Sequence, residues 1–592
     1  MSFKGIYFKG RGIVRPGVYA SVNADAMVPN RLSPANTIGA VGICAGGQPN
    51  TALRVSSLSE AVKLLRSGDL ETAAELMYDP SPDMPGAGDV VFVRVSSSTT
   101  PVAQSTHNIG TQINQSSRDY GNHTNFIRCK MEDGSAAAPY KKFTVQHQMD
   151  DVQEVLDNFG QLFTIHYIGS SAHARLTIDP VTAKTALVEV SADGTTWTTL
   201  ISVPLDTDPN NVLGNLITTL NACPDLSCTA DKYVDQTMTS LLMDPVSQED
   251  ILTSPYVHLS SVGPLLYWEN NISQLISGTA GSAPSGNMSN FGWTYFTGGS
   301  DGAAPSNNDW ATAISVLENE SDVAIVYLAS PTEAVHLEGA AHVDAMCDIT
   351  EGKERRLVVG GALNESVDAV TTRAIDLSDK NVMLAYPGIK RVNLSTGNLD
   401  TLAPYFLAAC YAGMTGGSGP EIPLTNKTLK VQGLEKTLTN TDIVTLLNGG
   451  VAPAVFDRDD SVYRCVQSLT TYLTDANVIY RKWSGMGIKY YLQQQARNVA
   501  KPYVGQVAST LTMTNIKMAV ASLLQALTVT AANPDGILTD GIVNGVVMPS
   551  YTNLVVNFDG FDWVSISFDA LPVGEIAYIT IDASFKPAQI QV

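Results

Sequence analysis

Val323-Ala324-Ile325-Val326-Tyr327-Leu328-Ala329, followed at once by Ser330-Pro331-Thr332-Glu333, is the stretch from which the fold is read. An unbroken apolar run of this length suits a strand covered on both faces. Behind it, Ser330 reads as a helix cap, Pro331 as the first helical residue, and Glu333 as the acidic partner three residues after the cap. Upstream, Trp310, Ile314 and Leu317 fall at i, i+4 and i+7 behind the candidate cap Asn308, which is one apolar helical stripe. Downstream, Arg356-Leu357-Val358-Val359 and Asn381-Val382-Met383-Leu384-Ala385 are further apolar runs, each after a helix-like segment. Residues 296–412 therefore read helix, strand, helix, strand, helix, strand. Such alternation implies right-handed crossovers and a largely parallel sheet.

A second piece of the same texture begins near Asn36. Residues 38–45 are an apolar strand interrupted by glycine, and Gly46-Gly47-Gln48-Pro49-Asn50 is a loop. Ser57-Leu58-Ser59-Glu60 is a capping box opening a helix that stops at Gly68. Residues 71–78 make a short helix, and Val90-Val91-Phe92-Val93-Arg94-Val95 returns as a buried strand. This piece can join the later core in one sheet if everything between them is an insertion.

Between about residues 96 and 290 the pattern turns to β. Residues 142–147, 162–167 and 174–178 alternate or run apolar at strand length, and 186–201 read as a hairpin turning at Asp193-Gly194. One or two β-rich inserted domains are expected, with a helix near 211–220. Ser- and Gly-rich linkers at 96–100 and 277–289 mark the exits. After the core, residues 413–423 read as a flexible glycine-rich segment. Helices are expected at 442–447, through 495, and at 515–527, where Ile516, Val520, Leu523 and Leu527 share a face. Residues 554–558 and 564–568 read as an antiparallel pair.

The 592 residues have room for about three or four domains. The net charge of −21 opposes a sequence-independent grip on nucleic acid, which needs a basic face. Cys44, Cys129, Cys223, Cys228, Cys347, Cys410 and Cys465 are scattered; Cys223 and Cys228 lack the second pair of a zinc site, so isolated thiols are the simpler reading. Met1-Ser2-Phe3-Lys4-Gly5 has no signal-peptide core, and no run reaches the roughly 18 apolar residues of a membrane span. A soluble protein made in the cytoplasm is expected.

Candidate chemistry dissolves on inspection. Thr297-Gly298-Gly299-Ser300-Asp301-Gly302 lacks the lysine and hydroxyl residue of a phosphate loop and reads as a turn. His336 and His342, with Glu338 and Asp344 nearby, are six residues apart on one helix, about 600° of rotation, where a metal wants i and i+4. Ser300 and Asp301 have no nucleophile elbow. Asp457, Asp459 and Asp460 around Arg458 lack the glycine and glutamate of a calcium loop. No catalytic, cofactor-binding or metal residue is named and no cofactor is expected; a nucleotide-binding α/β enzyme stands as the rival.

The chain ends are different. Residues 1–24 hold short extended pieces, Ile6-Tyr7-Phe8 and Gly12-Ile13-Val14-Arg15-Pro16-Gly17-Val18-Tyr19, that cannot bury their apolar side chains alone. Glu575-Ile576-Ala577-Tyr578-Ile579-Thr580-Ile581 is β-prone, and the first charge able to blunt it is Asp582. It is either a sheet edge in its own domain or one half of a strand exchange between subunits.

The landmarks, in order and spacing, resemble those of the contractile bacteriophage tail sheath protein family. They are Arg15-Pro16-Gly17-Val18-Tyr19, the Gly46-Gly47-Gln48-Pro49-Asn50 loop, the helix capped by Ser57, the strand from Val90 to Val95 and the turn from Thr297 to Gly302. Tyr327-Leu328-Ala329-Ser330-Pro331, Asn477-Val478-Ile479-Tyr480-Arg481 and the closing strand from Val573 complete the set. Residues 100–290 match nothing nameable, and 413–434 depart from the pattern.

The resemblance implies an α/β and α+β multidomain chain. Its central mixed α/β body is assembled from N-terminal and C-terminal halves, with inserted β-rich domains and extended terminal arms. The parts are an arm at 1–24, body at 25–98, an outward-facing insertion at 99–292, body at 293–475, a tube-facing region at 476–570 and a strand arm at 571–592. It implies a non-enzymatic virion subunit, assembled in the host cytoplasm, that stacks as rings around a tail tube and contracts to drive that tube through the host envelope. Its partners are further copies of itself, the tail tube protein, and baseplate and tail-terminator proteins, without direct nucleic acid contact or membrane insertion. The inter-subunit arms are Ile13, Val14, Val18 and Tyr19 at one end and Ile576, Tyr578, Ile579 and Ile581 at the other. A headless contractile injection device fits the same pattern.

Overall fold

The computed structural model describes residues 6–8, 11–13, 36–136, 138–348, 350–393, 397–474, 478–531, 533–543, 546–560 and 563–577. The chain forms two compact units: 36–487 with 574–592, and 1–35 with 488–573.

The larger unit is built on a nine-stranded sheet in the order Thr428–Leu429, Val462–Cys465, Val451–Asp457, Val382–Tyr386, Arg356–Gly360, Val323–Leu328, Thr37–Gly42, Val90–Arg94 and Leu53–Val55. Strand Val323–Leu328 pairs in parallel with both Arg356–Gly360 and Thr37–Gly42, so the two distant αβ pieces share one sheet. Antiparallel strands close both edges. The central strands are buried on both faces, as their unbroken apolar runs require.

Helices cover both faces. Trp310 and Ile314 of helix Asn307–Ser315, Val335 and Val343 of helix Glu333–Met346, and Val370 of helix Val367–Leu377 fill one side. Helices Asp69–Tyr78 and Pro404–Gly417 fill the other.

Three local expectations are corrected. The cap of helix Asn307–Ser315 is Ser306, not Asn308: Ser306 Oγ accepts from the Asp309 N–H and the Asp309 carboxylate accepts from the Ser306 N–H, a capping box two residues earlier. Helix Glu333–Met346 is entered from Thr332, while Ser330 Oγ accepts from the Thr332 N–H. The glycine-rich tract at 413–423 is not a flexible segment over its first half. Gly413, Gly416 and Gly417 end helix Pro404–Gly417, which is buried at every residue but the last. An all-round apolar helix belongs in a core. A Cβ on Gly413 would stand 2.6 Å from the Met77 Cα and closer still to the Met77 carbonyl oxygen, so the glycine allows helix Asp69–Tyr78 to pack against it backbone to backbone.

Between Val90–Arg94 and Asn307–Ser315 the chain builds two β-rich cores, one nested in the other. Sheets Thr106–Ile109/Ile113–Ser117/Ile276–Ala280 and Val152–Phe159/Lys141–His147/Ile127–Asp133/Phe291–Tyr295 enclose Phe143, Leu265, Trp268 and Phe296. Residues 161–259 leave this core and return to it. They form two more sheets and helix Leu213–Asn221 around Leu162, Leu176, Val188 and Leu216.

The exits are not loose linkers. Ser96 and Ser97 are buried, Ser96 Oγ accepts from the Val102 N–H at 3.0 Å, and Ser277 lies inside strand Ile276–Ala280. The body grips this insertion through Arg94, 1% exposed, which donates to the carbonyls of Gly47 and Tyr120 and to Asp301 Oδ1 at 3.0–3.1 Å. Arg66 adds a two-pronged pair with Asp150. A buried guanidinium needs this many acceptors.

The smaller unit packs helix Thr510–Ala526 against the hairpin Tyr551–Phe558/Val564–Ala570. Ile516, Val520 and Leu524 meet Leu554, Val556, Ile566 and Phe568 there. No helix among the described residues is long and apolar enough to cross a membrane.

Candidate assembly interface

The residues first suspected of chemistry are structural. His336 is fully buried; the Arg373 guanidinium faces its Nδ1, so Nε2–H donates to the Ser330 carbonyl at 2.8 Å. His342 accepts from Arg355 at 3.1 Å. Burial pushes both imidazoles down to about 4, with the neighbouring arginines acting in the same direction. Both rings are neutral, with a single ring proton, near neutrality, and no cluster able to hold a metal exists among the described residues.

Cys223 and Cys228 are free thiols. Asp457 and Asp460 pair with Arg464. Asp301 and Ser300 of the glycine turn are engaged with Arg94, the Asn122 N–H and Ala103, at the seam between body and insertion.

What remains is surface, at the chain ends. Strand Ile6–Phe8 pairs with Arg11–Ile13, Ile6 opposite Ile13, so the two N-terminal extended pieces form a hairpin with each other. Val14, Val18 and Tyr19 lie outside the described residues. Residues 574–577 carry no regular structure, so the strand expected from Glu575 does not begin there. Ile576 is 79% exposed. Tyr578, Ile579 and Ile581 lie outside the described residues.

The sheet Tyr551–Phe558/Val564–Ala570 has only two strands among the described residues, and both of its outer edges are unpaired. Along Val564–Ala570 the alternate residues Val564, Ile566, Phe568 and Ala570 face the core, yet none is fully buried. Two strands on one helix leave a thin layer, and open edges are templates for further strands. These two strands are the antiparallel pair expected at 554–558 and 564–568, slightly longer than the sequence suggested.

The same unit exposes large apolar side chains: Val504, Val507, Leu511, Met518, Ile542 and Val547, with Trp563 65% exposed. Charge is segregated along the sequence around the start of this unit as well. Between Asp475 and Asp535 the sequence has no acidic residue and six cations, Arg481, Lys482, Lys489, Arg497, Lys501 and Lys517, in a chain whose net charge is −21. That signal was readable in the sequence and was missed.

No family model matches the chain. It is 26% identical over 592 residues to the tail sheath protein of Bacillus phage SP01, covering 98% of this chain and 97% of that one. With the tail sheath protein of Staphylococcus phage Twort it shares 24% identity over 493 residues, 78% of this chain and 81% of the other. The crystal structure of a sheath tail protein from Desulfitobacterium hafniense superposes with a TM-score of 0.50 at 12% identity, over 94% of this chain and 100% of that one. The chain thus resembles phage tail sheath proteins over nearly its whole length and shares the fold of a sheath tail protein.

Proposed function

We propose that the chain is the repeating subunit of a contractile phage tail sheath, polymerising as stacked rings around a tail tube and contracting to drive the tube through the host envelope. The observation that carries this reading is the similarity, nearly end to end, to phage tail sheath proteins. The subunit acts mechanically, without catalysis, as a component of the virion tail assembled in the host cytoplasm. Its partners are other copies, the tail tube, and the baseplate and terminator proteins at the two ends of the tail.

The nine-stranded body is the rigid element that moves. The terminal arms, carrying Ile13, Val14, Val18 and Tyr19, and Ile576, Tyr578, Ile579 and Ile581, add strands to the open hairpin of neighbouring copies. Backbone ladder bonds suit a link that must survive rotation while side-chain interfaces re-form. The insertion faces outward. In the acid-free segment 476–534, Lys501 and Lys517 turn toward the tube, where they favour an acidic surface.

Electron microscopy of the purified protein tests the reading. Hollow cylinders are expected, and a chain ending at Ala577 should form none. Unchanged cylinders from that shortened chain would refute strand donation.

A further inference from the structure

Glu575 makes an abrupt transition. Its side chain is 4% exposed, and Oε1 accepts from Lys482 Nζ at 3.1 Å and from Thr425 Oγ1 at 2.7 Å. Thr425 Oγ1 accepts in turn from the Ser468 N–H at 3.2 Å, so the hydroxyl is aimed before the glutamate arrives. Oε2 is buried and has no partner among the described residues. One residue later the chain is in the open, with Ile576 79% exposed.

A carboxylate withdrawn from water with one oxygen unsatisfied is a poor device for stability alone. It is a good device for position. Once seated, it leaves only by separating a largely buried ion pair, which would leave both charges uncompensated. Position is what a donated strand requires: because side chains alternate with period 2, a slip of one residue turns every apolar side chain to the wrong face.

We propose that Glu575, seated on Lys482 and Thr425, is the fixed root of the C-terminal arm. It sets the register in which Ile576 and the residues beyond it add to a neighbouring copy of this chain, and it stays on its own subunit when the sheath shortens. Glu575 is a positioning residue, and the proposal rests on the strand-exchange reading above.

The test compares cylinder formation by full-length variants with their melting temperature as subunits. Glu575→Ala and Lys482→Met should each raise the protein concentration needed for cylinders about tenfold or more, the loss expected of a charge-assisted hydrogen bond, with the subunit's melting temperature unchanged. Glu575→Gln, which keeps the shape and the Thr425 bond, should lie between them and the natural chain. The reversed pair Glu575→Lys with Lys482→Glu should recover most of the assembly lost by either change alone.

Wild-type assembly by both single variants overturns the proposal, as does a reversed pair no better than its single parents. Normal cylinders from Glu575→Ala with none from the chain ending at Ala577 refute the anchor alone. Cylinders from that shortened chain refute strand donation, and the anchor with it.

Discussion

Gly413→Ala gives opposite signs for two readings of the same glycine-rich tract. In a flexible segment, alanine narrows the unfolded ensemble and stabilises by about 0.4–1 kcal/mol. In a solvent-facing helix it gains about 1 kcal/mol of propensity. Here the new Cβ meets backbone rather than a yielding side chain: 2.6 Å to the Met77 Cα and 2.8 Å to its carbonyl carbon, where ordinary contact begins at 3.4 Å. The Met77 carbonyl oxygen is nearer still, so helices Pro404–Gly417 and Asp69–Tyr78 must part by about 1 Å, and overpacking of this kind costs about 1–3 kcal/mol, occasionally more.

The separation also loosens the core that buries Ala73, Ala74 and Met77 of the second helix. The upper end of that range therefore applies, and after the propensity gain a net loss of about 2 kcal/mol is expected. Calorimetry of the subunit should show the body transition lowered by a few degrees, and amide exchange should quicken first in helix Asp69–Tyr78. Gly88→Ala is the control: an added Cβ there has nothing within 4 Å, so it should be neutral or slightly stabilising. A Gly413→Ala protein as stable as its parent, or more so, refutes the packing argument.

Further outcomes follow from single side chains. Burial raises the Glu269 carboxyl from 4.5 to about 8, with the Gln115 amide hydrogen bond opposing it. Because the folded value is the higher, its contribution to the insertion core around Phe143 and Trp268 is complete below about pH 4.5 and lost as pH climbs to about 8. The loss is roughly 5 kcal/mol across that window. Glu269→Gln should flatten the pH dependence of melting, and an unchanged slope refutes the assignment.

Ser306→Ala should cost about 1 kcal/mol in chemical denaturation, whereas Asn308→Ala should cost a few tenths at most; equal effects would contradict the capping box. Lys501→Glu with Lys517→Glu should weaken co-sedimentation with tail tubes and reduce its salt dependence, while cylinders of sheath alone still form. Undiminished binding at low salt would remove the cationic segment from the tube interface.

The sequence determined by itself those features whose causes are local. The β-branched apolar run from Val323 to Ala329, bounded by Ser330-Pro331, reads as a doubly covered strand, and the alternation of such runs with helical segments implies a parallel sheet. Period-2 alternation marked the insertion as β-rich. Local signals failed where identity depended on a distant neighbour. Nothing near Gly413 announces Met77, which lies more than 300 residues away in sequence; glycine reads as flexibility until another backbone is seen to occupy the space its missing Cβ leaves. Asn308 and Ser306 are both good caps, and the choice fell to the geometry of entry, which let Asp309 return its bond to Ser306.

Tertiary structure alone fixed the register of Thr37–Gly42 on Val323–Leu328 across the insertion, left the edges of Tyr551–Phe558/Val564–Ala570 unpaired among the described residues, and seated Glu575 between Lys482 and Thr425. Each depends on which surfaces remain after the core has formed. Periodicity reports which face of an element is buried, and it carries no information about the partner that buries it.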